Sequence, residues 1–81
     1  MKNQEIAKIL KEIALYLEME DEPFKPRAYE KAANSVEALE KEAEEIYKQG
    51  GIKALMQIPG VGEGIALRIE EAFSINQNEG Q

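Results

Sequence analysis

The sequence predicts an all-α fold, a compact bundle of four to five short helices. Apolar residues recur at helical spacing along most of the chain, and no segment alternates with period two. Proline and glycine clusters fall between the periodic stretches, where helices must break. With 81 residues, 43% of them apolar and 32% charged, the chain suits one soluble domain with a small core.

The elements follow in order. Asn3 is a candidate N-cap, with Glu5 in the first turn near the positive end of the helix dipole. Ile6, Ile9, Leu10, Ile13 and Leu17 then carry a first helix over about 3–19. The stretch Met19 to Pro26, with Pro23 and Pro26, breaks it, and Pro26 suits the first turn of a new helix. Tyr29, Ala32, Ala33 and Val36 mark the second helix, about 26–38. Ala43, Ile46 and Tyr47 carry a third, ended by Gly50-Gly51 as a C-terminal glycine signal. A short helix at about 52–57 and another at about 63–73 flank Pro59 and the glycines after it. The ordered domain is expected over 1–74, with 75–81 as a polar, disordered tail. Phe24, Tyr29 and Tyr47 are expected to pack in or against the core.

Composition closes off several chemistries. Without cysteine or histidine there is no disulfide, no thiolate zinc site, no cysteine nucleophile and no imidazole base. No apolar run approaches the ~20 residues of a membrane span, and the start Met-Lys-Asn-Gln-Glu-Ile lacks a signal-peptide core. A cytoplasmic protein that binds no membrane is the expectation. Net charge is −6, with acids crowded into Asp21-Glu22 and Glu37–Glu45, while Lys25, Arg27 and Lys31 form a local basic group. The Glu37–Glu45 run has no calcium-loop spacing and reads as a solvated helix face. Contact with nucleic acid would therefore be narrow, weak in isolation and sensitive to salt.

The segment Ile-Pro-Gly-Val-Gly-Glu-Gly-Ile-Ala, residues 58–66, carries the most chemistry. Gly60, Gly62 and Gly64 run directly into the apolar-periodic Ile65, Ala66, Ile69, Ala72, Phe73. Glycine allows positive φ and a close approach of a ligand oxygen, and a Cβ on Gly62 is expected to obstruct both. The opening amides of the following helix have no intrahelical partner and sit at the positive end of its dipole, which suits a phosphate oxygen. A dinucleotide-binding turn would need a preceding strand, which is absent from the pattern. The segment resembles a helix-hairpin-helix motif, which grips nucleic-acid backbone without reading bases.

Residues 1–73 also resemble the small amino-terminal domain of X-family, polymerase-beta-like DNA polymerases, especially the bacterial and archaeal members. The carrying residues are Ile-Ala-Leu-Tyr-Leu-Glu in the first helix, then Glu-Pro-Phe-Lys-Pro-Arg-Ala-Tyr-Glu-Lys-Ala-Ala, then the glycine turn. The middle segment is the more specific, because many hairpin proteins share the turn alone. The resemblance implies binding to gapped or nicked DNA in repair, with the 5′-phosphate of the downstream strand held in a pocket. It implies that Lys25 contacts that phosphate, that Tyr29 lines its pocket, and that Gly60, Val61, Gly62 and Gly64 grip backbone. It further implies a monovalent cation, Na or K, on the carbonyls of Met56, Ile58 and Val61, and a polymerase catalytic domain as a partner in a parent chain.

One departure bears on chemistry. Lyase-active relatives carry a Schiff-base lysine where this chain has Arg68, and a second lysine where it has Gly64. A guanidinium cannot shed the proton that such a step requires. The expectation is a non-catalytic DNA-binding module in which Arg68 makes a bidentate phosphate contact. The alternatives are a helical protein-interaction adaptor with a purely structural hairpin, or a weak abasic-site lyase working through Lys31 or another surface lysine.

Overall fold

The computed structural model describes the backbone of residues 1–79 and the side chains of residues 1–76, in four helices: α1 (Asn3–Met19), α2 (Lys25–Ala38), α3 (Ala43–Leu55) and α4 (Glu63–Glu79). No strand occurs among the described residues, and no helix among them is long and apolar enough to cross a membrane. α1 packs on α2, and α3 on α4.

Each helix contributes one apolar face to a shared core. Ile6 and Leu10 of α1, Val36 of α2, Leu55 of α3 and Ile69 of α4 are its largest fully buried side chains. Burial of one such side chain is worth roughly 1.5–3 kcal/mol. The packed pair α1 and α2 also buries the small Ala7, Ala14, Ala32 and Ala33 beside their larger side chains.

The glycine pair in α3 acts where the sequence places it. Gly51 takes φ 68° and ψ −154°, so α3 is kinked into segments 43–50 and 52–55. Only glycine adopts that backbone without strain. Beyond the kink, Leu55 turns into the core and the chain is delivered to the hairpin.

Three expectations need correction. Lys2, not Asn3, is the N-cap residue of α1, and the Glu5 carboxylate accepts its backbone N–H at 2.8 Å. Asn3 instead serves the far helix: its Oδ1 accepts the Ala43 N–H at 2.7 Å and its Nδ2 donates to the Lys41 carbonyl at 2.8 Å. Phe24 is 82% exposed rather than packed, because it occupies the N-cap position of α2, off the stripe of Tyr29, Ala32, Ala33 and Val36. Finally, α4 does not stop near residue 73 but runs to Glu79, through most of the expected tail. Once Ile65, Ile69 and Phe73 are buried the helix is already nucleated, and no glycine or proline follows Gly64 within it. Residues 80–81 of that tail lie outside the described residues.

Candidate nucleic-acid interface

The hairpin is pinned from below and open above. Ile58 and Val61 are buried, and the Val61 N–H donates to the Ile58 carbonyl at 3.0 Å. Pro59 and Gly60 lie between them, and Gly60 takes φ 83°. Proline at the second position with positive φ at the third is the signature of a type II turn. The required glycine is thus Gly60. Gly62 has no positive φ, and a Cβ placed there would meet nothing within 4 Å, contrary to the expected strain at that position.

The Ala66 N–H donates to the Gly62 carbonyl at 2.9 Å and opens α4. The amides before it lack intrahelical acceptors, as at any helix start. Gly62, Glu63 and Gly64 are exposed, and no side chain stands over the two glycines. Val61 is different. Its side chain is in the core and its amide is spent on closing the turn, so it does not belong with the free donors.

These glycines form one side of a groove of about 860 Å³. Lys25 and Tyr29 of α2 and Arg68 of α4 line it together with Gly60, Gly62 and Gly64. Residues far apart in sequence therefore converge, and every expected phosphate contact except Val61 is among them. Tyr29 is only 9% exposed, and among the described residues its hydroxyl donates no hydrogen bond to protein. That hydroxyl lies beside Arg68 and is the main cause that raises the guanidinium's pKa above its ordinary value, with a smaller contribution from Glu71. Arg68 also reaches Glu71 at 3.5 Å, an exposed pair of the kind that contributes little.

The basic group of α2 divides around the hairpin. Lys25 lines the groove, whereas the stem of Lys31 lies against Gly60 and its surface continues to Arg27 and Asn34. No carboxylate pairs with Lys25, Arg27 or Lys31 among the described residues. The carbonyls of Met56, Ile58 and Val61 belong to the segment that enters and closes the turn. The Ile58 carbonyl already accepts one hydrogen bond and keeps a second lone pair. No group of three or more acidic side chains among the described residues could hold a metal ion.

The other wall of the groove is absent from the sequence reading. α1 supplies Ile9, Glu12, Ile13, Tyr16 and Leu17 to it. Ile9, Ile13 and Leu17 look like core by spacing but are only partly buried, and Tyr16 is 61% exposed. The available signal is the width of the apolar face on α1, which exceeds what packing on one neighbour consumes.

A family model described as a helix-hairpin-helix domain matches residues 1–76. No curated protein and no solved structure matches the chain.

Proposed function

The chain belongs to the helix-hairpin-helix family, and from that we propose that it is a non-sequence-specific DNA-binding module directed to a 5′-phosphate at gapped or nicked duplex. Domains of this family generally bind DNA without regard to sequence. The observation that carries the proposal is the convergence of Lys25, Tyr29, Arg68 and the hairpin glycines on one groove. Two cations, a hydroxyl free to donate and a set of helix-opening amides suit a terminal phosphate, which offers more oxygens and more charge than an internal one.

The finer assignment follows the sequence resemblance: part of a repair polymerase, or a relative of one, with a catalytic domain elsewhere. A monovalent cation on the carbonyls of Met56, Ile58 and Val61 would bridge the turn to a second phosphate. Net charge −6 works against affinity, so the isolated domain binds weakly. Lys25, Lys31 and Arg68 are the cations at the hairpin. Neutralising about three phosphates predicts a log–log salt slope of roughly −3.

Titration of fluorescent gapped duplex, with and without a 5′-phosphate on the downstream strand and at several salt concentrations, tests this directly. Tighter binding of the phosphorylated end, with that slope, is expected. No binding at low salt would leave the adaptor alternative in its place.

A further inference from the structure

We propose that the groove holds more than the phosphate: it receives the unpaired 5′-terminal nucleotide, with the base laid on the α1 wall against Tyr16. This rests on the phosphate-binding function proposed above and extends it from an anion site to a nucleotide site.

Size is the first ground. At about 860 Å³ the groove lies within the roughly 300–1,000 Å³ of sites that enclose whole ligands, far beyond the needs of one phosphate group. Polarity is the second. The side formed by α2, the hairpin and α4 carries Lys25, Arg68 and the open amides, while α1 contributes no cation to the lining and one carboxylate, Glu12. An occupant matching that layout is anionic at one end and neutral at the other. A further stretch of phosphate backbone along α1 would meet Glu12 and no compensating charge. A nucleotide fits, with its ester on the cationic side and its base on the apolar one.

The third ground is the exposure of Tyr16. A large aromatic side chain that is 61% exposed, beside the half-buried Ile13 and Leu17, is poorly used by the fold itself. Aromatic side chains at the edge of a basic groove are stacking platforms for bases, and stacking tolerates any base because each has a π-face. Glu12 lies one helical turn before Tyr16 and lines the same wall, where its carboxylate can accept from an exocyclic amino group.

A terminal base still paired with the template is held in the duplex by that pair and by its inner stacking neighbour, so laying it along α1 beside its bound phosphate requires breaking both. The nucleotide must leave the stack, and this costs least where the terminal base is mismatched. The domain therefore discriminates ends by whether the terminal base is free.

The test uses the full chain and gapped duplexes whose downstream strand ends, with or without a 5′-phosphate, on one of three terminal residues: a paired nucleotide, a mismatched nucleotide, or a tetrahydrofuran lacking the base. The mismatched end should bind about tenfold tighter than the base-free end, the size expected for one stacked base. Tyr16→Ala should abolish that difference and Tyr16→Phe should retain it, with circular dichroism confirming the fold of each. Equal affinity for mismatched and base-free ends, together with a retained preference for the 5′-phosphate, would overturn the nucleotide site and leave the phosphate site standing. Loss of the phosphate preference itself would overturn both. A Tyr16→Ala variant that weakens all three ends alike would also defeat the stacking role.

Discussion

The stem of Lys31 lies so close to Gly60 that a Cβ on that glycine would stand 3.1 Å from Lys31 Cγ. The contact sets the hairpin turn against α2, and Gly60 combines it with a backbone that disfavours any Cβ. Gly60→Ala meets both a displaced lysine stem and a left-handed backbone at φ 83°, the latter costing about 1–2 kcal/mol. Gly64→Ala is the opposite case: it lies in the first turn of α4 with open space around it. There the substitution should stabilise by about 0.5–1 kcal/mol. Urea unfolding of the two variants should move in opposite directions.

Asn3 joins the start of α1 to the start of α3 through both atoms of its amide. Its Oδ1 supplies the acceptor that an N-cap side chain ordinarily gives, but to the first amide of a different helix. Asn3→Ala leaves the Ala43 N–H without that partner and should cost about 1–2 kcal/mol. Asn3→Asp keeps an acceptor and should recover part of the loss, measurable in the same unfolding experiment.

Helical periodicity makes most of this fold legible, because each buried stripe of α1, α2 and α4 repeats at the spacing that one helix face requires. The turn is legible for a related reason: Pro59-Gly60 is a local instruction that needs no tertiary context. The α1 wall of the groove is not legible. Ile9 and Ile13 have the same chemistry as Ile6 and Leu10, and only the tertiary packing of α1, chiefly against α2, decides which pair is covered. Phe24 fails for the converse reason, since hydrophobicity alone assigns it to a core that its N-cap position does not face. The end of α4 fails because polar residues such as Ser74 and Gln77 carry no packing signal, while helix continuation depends on the buried turns before them.

Arg68→Ala should weaken binding of phosphorylated ends by roughly ten- to a hundredfold, the equivalent of one lost charge-assisted hydrogen bond. Unphosphorylated ends should respond far less. Arg68→Lys keeps the charge but loses the fork geometry, so it should fall between wild type and alanine. Anisotropy titrations on both ends give the comparison, and equal losses on the two would remove Arg68 from the terminal-phosphate contact.

Tyr47 ties α3 to α4. Its hydroxyl donates to Glu70, and its ring lies 5.4 Å from that of Phe73. The hydrogen bond to the Glu70 carboxylate raises the phenol above its ordinary pKa, with burial and the Glu70 charge acting in the same direction. A pKa raised by folding means that the native state holds this proton more tightly than the unfolded chain does. The stabilisation is therefore complete below the unfolded phenol value of about 10 and is lost as pH rises through the native one. Tyr47→Phe should be less stable than wild type at pH 8, and the gap should narrow at pH 11. A constant gap in melting temperature across that range would show that the phenol proton is not linked to folding.

The last expectation is the absence of lyase chemistry. Schiff-base formation needs an amine that can reach the sugar carbon next to the bound phosphate and can act unprotonated. Arg68 occupies the groove position and stays charged at every accessible pH. Lys31, the substitute suggested by sequence, does not line the groove, and its stem lies against Gly60 on another face of the hairpin. Lys25 is the lysine in the lining; it is exposed there, and in the function proposed above its ammonium pairs with the phosphate, where a free amine would not serve. Borohydride treatment with an incised abasic-site duplex should therefore trap no adduct with the wild-type chain. Arg68→Lys places an amine beside Tyr29 in the lining, and a trapped product from that variant alone would show that the groove admits the sugar and lacks only the nucleophile. Trapping with the wild-type chain, lost on Lys25→Ala or Lys31→Ala, would make the domain an enzyme.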